Sequence, residues 1–580
     1  MRPDPSTRRR LARLALPTWC LALAVLVLGP ALAPGYVLTY DMVFVPRLDL
    51  TWDRLGLGSA LPRAVPVDAV TALATSVIRG DVLQKLVLLS TLAMAGYGAS
   101  RLIRSQPAPV RAVTATVYIW NPYVAERLLL GHWALLVAYA TLPWLVLAAA
   151  DVRRARPGGL PRCVALLALC ALTPTGGLLG CLVAGPVLAW QGWPGRGRAV
   201  AALAAAAVVV NVPWWLPGLL HEGTSGSEAG VAAFAARGEN ALGPVGALLG
   251  LGGVWNGQVV LGSRSTVLGV VGTLLVIALG VTGARPLLRA SEPGQVAGMA
   301  TAATVGLVVA LAGVLPGSRD VVASLVGGLP AAGVLRDGQK WIAPYALLLA
   351  PAAALGVARL AARSRDAALA NLAAVGAVVA LIAVLPDFVW GATGRLRAVD
   401  YPNDWHAVRA VIQSDPEHGD VAVLPWGTFR AFDWNGGRTV LDPAQRFLPG
   451  SVVTSTDLPV GRVVVEGDDP RVADVRAAFD RPDSAARLRQ LGIGWLLEEK
   501  GQAGEELAGP PGNVRYDGTE LRLVQLAAAG ERTRLAHATL VAVADGLIAL
   551  FVLVCAAASV AAKFRRRRLP AGRVRPPTEH

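Results

Sequence analysis

The sequence predicts a polytopic α-helical membrane protein of about twelve spans, with an α/β domain inserted before its final span. Of its 580 residues, 54% are hydrophobic, and the mean hydropathy is +0.50. Apolar stretches of about twenty residues recur along the chain, long enough to cross a hydrocarbon core. They run continuously instead of alternating, so helices and not a closed barrel must satisfy their backbone groups. Between 390 and 535 the pattern breaks: charges become dense, and no run is long enough to span.

The first span is expected at 14–34, behind Arg8, Arg9, Arg10 and Arg13. Its layout is that of a signal peptide, but no small-residue cleavage site follows, so it is expected to be retained. Ten more spans follow at 84–103, 107–122, 131–150, 160–173, 176–191, 198–219, 264–283, 294–315, 341–362 and 367–388, and the last at 536–562. The fifth and sixth are short and joined by Thr173-Pro174-Thr175-Gly176-Gly177, which suits a broken or re-entrant pair. Arginines at 101/104, 153/154/156, 196/198, 285/289, 359/363/365 and 565–568 all fall on the side of the N-terminus. Basic loops mark the cytoplasmic face, so both termini are expected in the cytoplasm of a cell-membrane protein. The opposite side then receives the long first loop 35–83, the segments 220–263 and 316–340, and the stretch 390–535. The division is a membrane domain 1–389, an extracytoplasmic domain 390–535, a last span 536–562 and a basic tail 563–580.

In a soluble protein the net charge of +15 would suggest nucleic acid. Here the arginines occupy short loops and tails, and no nucleic-acid partner is expected. Cys20, Cys163, Cys170, Cys181 and Cys555 all lie in apolar spans without metal-ligand spacing, as small buried thiols do. Within 390–535, strands are expected at Val421–Pro425, Val463–Glu466, Gly494–Glu498 and Leu521–Leu526. Helices are expected at Arg471–Phe479 and Ser484–Leu491, capped by Asp469 and Asp483. No phosphate-binding glycine loop or nucleophile elbow occurs there, which suits a substrate-shaping or partner-binding lid.

Three stretches have residues suited to chemistry. Asp41 follows the first span beside Tyr40, Met42 and Phe44, where partial desolvation would raise a carboxylate toward a useful base. Asp49 and Asp53 share the loop as alternatives, and a solvated helix-end carboxylate is the plainer account of each. Next, Asn121-Pro122 breaks a helix and leads through Glu126 and Arg127 to Gly131-His132-Trp133. The adjacent Glu126 and Arg127 project differently. An arginine and a histidine near an outer cavity suit a phosphate or pyrophosphate, and interfacial snorkelling is the alternative. Third, Arg336 and Lys340 start a span in Leu335-Arg336-Asp337-Gly338-Gln339-Lys340-Trp341, where the helix dipole disfavours cations. Lysine is rare here, at only 85, 340, 500 and 563. An anionic lipid phosphate would favour both cations, as would ordinary headgroup contact. Asp545, inside the last span, should face protein or water, as a structural hydrogen-bonding group or a proton-coupled transport site.

Together these stretches resemble the GT-C superfamily, the multi-span glycosyltransferases that use polyprenyl-phosphate-linked sugars, arabinofuranosyltransferase-like envelope proteins among them. The resemblance implies an acidic residue of the first outer loop as general base, and Asp41 stands at that position. The double-acid pattern many members show there is absent. It also implies Glu126, Arg127, His132, Arg336 and Lys340 as lipid-phosphate and substrate groups. The partners it implies are a polyprenyl-phosphate-linked sugar, an envelope glycan or lipid acceptor, and membrane lipids. No cofactor is required and no metal ligands are assigned, although Asp41, Asp49 and Asp53 offer oxygens to a divalent cation. A lipid or polysaccharide transporter and an inactive GT-C-like scaffold are the competing functions. No internal repeat of the transporter kind is found.

Overall fold

A computed structural model describes residues 5–58, 64–220, 228–363, 366–415, 419–460, 463–467, 469–526 and 538–568. Among them, eight helices are long and apolar enough to cross a membrane: Arg13–Leu32, Gly80–Leu102, Trp133–Arg153, Arg196–Leu220, Val267–Ala290, Pro293–Ala312, Gly338–Ala361 and Ala538–Phe564. Ala367–Ala383 and Pro386–Gly394 pass the same test only as a pair, bent by 77°. The remaining expected spans are shorter helices, Ala108–Ile119, Gly159–Cys170 and Pro174–Ala189, of 12, 12 and 16 residues. Helix length therefore does not establish twelve crossings.

The short helices have local causes. The Asn121 side chain accepts from the Val124 amide at 3.0 Å while donating to the Val117 carbonyl at 2.9 Å. It thus closes one helix and caps the next, Pro122–Leu129. Thr173 caps Pro174–Ala189 by accepting from the Gly176 amide at 3.1 Å, so the Thr173-Pro174 junction is a tight corner. Other stretches expected as loops also contain helices: Val67–Thr75, Gly243–Leu249 and Ser318–Gly328.

Trp133–Arg153 and Gly338–Ala361 form the centre of the bundle, each 83% buried. The last helix lies at its edge, packed against Gly159–Cys170 and Arg196–Leu220 and only 6% buried. In that helix the Asp545 Oδ1 is sequestered from solvent with no hydrogen-bond partner among the described residues.

The C-terminal region builds a five-stranded sheet in the order Asn513–Asp517, Leu521–Gln525, Ile493–Glu499, Asp420–Leu424, Val452–Val453. The first two junctions are antiparallel and the last two parallel. One face (Trp495, Leu497, Leu521, Leu523) shares a core with Trp405 and Val408 of helix Asn403–Gln413. The other packs Leu496 and Ala422 on Val475, Phe479 and Leu488. Three expected strands belong to this sheet, but Val463–Val465 instead pairs with Leu458–Val460 in a separate hairpin. Asp469 caps its helix as expected. Asp483 makes no cap bond, because its carboxylate is taken by Arg481 at 2.8 Å.

The sheet region is joined to the first loop at many points. Tyr36 and Val37 pair with Val399 and Ala398, Tyr40 bridges Val440, and the Tyr401 hydroxyl donates to the Phe44 carbonyl at 3.0 Å. Asp49 meets Arg409 at 2.6 Å, Asp68 meets Arg446 at 2.8 Å, and Ser451 binds Asp53. One continuous core runs from the helices through this loop into the sheet.

Candidate functional site

The loop around Asp41 is fixed by its backbone. The Tyr40 amide donates to the Thr439 carbonyl at 2.8 Å, and the Asp41 amide donates to Leu130 at 3.1 Å. Thr39 adds a side-chain bond to the Leu129 carbonyl. Gly131 sits at φ +78°, and a Cβ there would lie 2.2 Å from the Met42 nitrogen, so only glycine lets the loop and the 122–132 segment close together.

This closure brings four groups of the sequence prediction into one array. Asp41 Oδ2 lies 3.0 Å from His132 Nε2, with the Asp41 side chain 53% exposed. His132 Nδ1 lies 3.0 Å from Arg127 Nη1. Arg127 is fully buried and forms a fork with Asp337, Nη1 to Oδ2 at 2.6 Å and Nη2 to Oδ1 at 2.8 Å. Lys340 reaches the same carboxylate at 3.7 Å, with its side chain 27% exposed. Asp337 is the member that the sequence reading passed over. Its signal was its place between Arg336 and Lys340, where one carboxylate among cations marks a pair and not a repelling cluster.

The hydrogen bonds define the histidine. A guanidinium only donates, so Nδ1 must accept from Arg127, and Nε2 then carries the hydrogen donated to Asp41. The imidazole is neutral in this arrangement. Burial, with Lys340 and Arg127 adding to it, holds its pKa below the ordinary value against the pull of Asp41. Burial pushes Asp41 upward, but the His132 hydrogen bond and the charges of Lys340 and Arg446 outweigh it and hold Asp41 below the ordinary carboxylate value. The expected upward shift at the membrane edge is therefore reversed, and Asp41 is an anion. Asp337 is likewise held low, chiefly by Arg127 against its burial.

The other predicted residues are held by other contacts. Glu126 turns the opposite way from Arg127, accepting from Gln339 Nε2 at 3.0 Å and the Val254 amide at 3.3 Å. It is buried beside Glu239, which pairs with Arg264 at 2.6 Å. Burial and the Glu239 carboxylate raise Glu126 well above its ordinary value, so it holds a proton in a structural network and does not face the Asp41 cluster. Arg336 lies over the Phe234 ring at 5.5 Å. Arg127, Arg336 and Lys340 therefore do not offer three cations to one cavity, since Arg127 is spent on Asp337. Asp49 and Asp53 are engaged by Arg409 and Ser451. Among the described residues no group of three or more Asp, Glu, His or Cys side chains is gathered as metal ligands.

Beside the array, an apolar cavity of about 240 Å³ opens between helices, lined by Phe44, Val87, Met94, Trp133, Val137 and Leu172. Trp133 follows His132 directly and packs on Phe44 at 5.1 Å, so the cavity adjoins the polar array.

No protein-family model and no curated protein matches this chain. Among solved structures, the arabinofuranosyltransferase AftD from mycobacteria superimposes with a TM-score of 0.57 at 16% identity, over 91% of this chain and 40% of that one. A mutant of AftD gives 0.53 at 16% identity, over 90% and 42%. The oligosaccharyltransferase AglB from Archaeoglobus fulgidus, complexed with an inhibitory peptide and a dolichol-phosphate, gives 0.42 at 10%, over 85% and 70%. This chain thus spans about two fifths of the length of AftD. What the likeness establishes is the fold: this is a polytopic helical membrane protein that shares its overall fold with AftD over most of its length.

Proposed function

We propose that the protein is a membrane glycosyltransferase that moves a sugar from a polyprenyl-phosphate donor to an envelope glycan or glycolipid. The observation that carries this is the Asp41–His132 pair, an ionised and half-exposed carboxylate oriented by a neutral imidazole, with Lys340 nearby. In the proposed step the acceptor hydroxyl oxygen bonds to the anomeric carbon as the carbon–oxygen bond to phosphate breaks. Asp41 takes the hydroxyl proton. The electron pair leaves with the polyprenyl phosphate, whose charge Lys340 offsets, and a phosphate leaving group needs no general acid. The apolar cavity beside Trp133 suits the prenyl chain. Residues 390–535 form a domain on the side opposite the termini, which are cytoplasmic, and that domain backs the loop of the base.

The test is transfer from a panel of polyprenyl-phosphate sugars. Asp41→Asn removes the basic oxygen at constant size, and transfer should fall about 10²–10⁴-fold. Asp49→Asn should keep the rate within about tenfold, because it changes a contact of the sheet region only. An Asp41→Asn enzyme at full rate would reject Asp41 as base. A wild type that transfers from no donor would favour the scaffold or transporter alternatives.

A further inference from the structure

The first loop separates two cavities of opposite character. On one side Phe44 and Val67 line the apolar cavity already described. On the other, a cavity of about 270 Å³ lies between the loop and the sheet region, walled by residues of 51–58, 64–68, 441–456 and 469–472. Neighbouring residues divide between the two: Val67 lines the first and Asp68 the second. Arg446 of the second cavity donates to the Val43 carbonyl at 2.9 Å, one residue before Phe44, and its charge helps to hold Asp41 ionised. Asp41 itself is not among the lining residues.

The charges around this second cavity balance: Asp53, Asp68 and Asp469 line it together with Arg54, Arg446 and Arg471. Asp68 and Arg54 are each more than nine-tenths buried. Contacts within the protein hold these side chains in place. Arg446 meets Asp68 at 2.8 Å, Arg54 donates to the Gln445 carbonyl at 2.8 Å, Arg471 pairs with Asp420, and Ser451 binds Asp53. A void walled by both kinds of group offers acceptors and donors together. A phosphate there would meet three carboxylates, and an ammonium group would meet three guanidinium groups. A hydroxyl suits both, since it donates to a carboxylate and accepts from a guanidinium. Thr51, Thr454 and Thr456 add hydroxyls of their own. The volume is at the small end of ligand cavities, which fits a sugar unit and not a long chain.

We propose that this cavity binds an uncharged, hydroxyl-rich sugar unit of the acceptor glycan, remote from the hydroxyl that reacts at Asp41. The proposal rests on the glycosyltransferase reading above. It divides the substrates across the first loop, with the prenyl chain of the donor on the apolar side and the acceptor on the polar side.

The purified full-length protein is titrated, without donor, with neutral arabino-, galacto- and manno-oligosaccharides by saturation-transfer NMR. A polygalacturonate fragment is the anionic comparison and a chitosan fragment the cationic one. The wild type should bind a neutral oligosaccharide in preference to both charged ones. Val472→Trp fills the cavity from its wall and should weaken that binding at least about tenfold. Asp469→Asn should weaken it about tenfold by removing a charged acceptor, while asparagine still caps the helix that Asp469 begins. In the transfer assay the acceptor KM of Asp469→Asn should rise by the same factor at unchanged kcat. Arg481→Gln and Asp41→Asn should bind as the wild type does. Wild type that binds no neutral oligosaccharide, or prefers a charged one, overturns the proposal, as does unchanged binding in both cavity variants. A protein that shows the expected binding but transfers from no donor keeps the glycan site and loses only the glycosyltransferase reading.

Discussion

Replacing Asp337 by Asn tests whether the buried fork orders the array. The change keeps the size of the side chain but removes the charge that balances Arg127, a guanidinium with no exposed surface. Two charge-assisted bonds at 2.6 and 2.8 Å are weakened at once. Removing one partner of a buried pair leaves an uncompensated charge and costs about 3–5 kcal/mol. The double change Arg127→Met with Asp337→Leu removes both members of the buried fork, leaving only the part-exposed Lys340 without its carboxylate, and should bring stability back to within about 1–2 kcal/mol of wild type. It should not restore transfer. Without Arg127 donating to Nδ1, His132 is free to rotate or change tautomer, and a misplaced group of this kind costs on the order of 10²-fold in rate. Unfolding by SDS titration, followed through the 16 tryptophans, gives the stabilities, and the donor panel gives the rates. The reasoning fails if Asp337→Asn loses less than about 1 kcal/mol, or if the apolar double variant transfers at the wild-type rate.

Glu126→Gln should be nearly silent, because an amide keeps the oxygen that accepts from Gln339 and the Val254 amide, whereas Glu126→Ala strands both donors and should cost about 1–3 kcal/mol in the same titration. The depressed pKa of His132 gives stability a pH dependence. An unfolded histidine binds its proton below its ordinary 6.5 while the folded one stays neutral, so the contribution of His132 is complete above 6.5 and is lost as pH falls from there toward the folded pKa. Unfolding titrations of wild type and His132→Asn between pH 7.5 and roughly 5 should therefore diverge, the wild type losing stability faster. Labelling of Arg481→Cys, a site 57% exposed in the sheet region, by an impermeant maleimide in intact cells is expected, and labelling only after lysis would reverse the proposed topology.

Membrane character was legible in the sequence because continuous apolar runs have few other solutions. The strands 420–424, 493–499 and 521–525 were legible too, since short apolar runs between turn residues say where a sheet lies. Their order was not: the parallel pairing of 420–424 with 493–499 depends on contacts between residues some seventy apart. The short helices were misjudged in length because apolarity extends past Asn121 and Thr173, whose side chains end the helical hydrogen bonding first.

At the site, sequence alone determined the inventory: an acid after the first helix, Glu126 beside Arg127, a glycine–histidine step, and rare cations before a span. It also determined that Glu126 and Arg127 would point apart, since adjacent helical residues do. Only the tertiary structure decided the partners. Asp337 lies 210 residues from Arg127, and Asp41 lies 91 from His132. Their pairing required Gly131 to admit the Met42 backbone and the sheet region to hold Tyr40. The same contacts reversed the pKa expected for Asp41, because the sequence records that a carboxylate meets a membrane edge but not that an imidazole hydrogen bond awaits it there. Charge and polarity are properties of residues, whereas desolvation and pairing belong to the packed arrangement, and at Asp41 the pairing outweighs the desolvation.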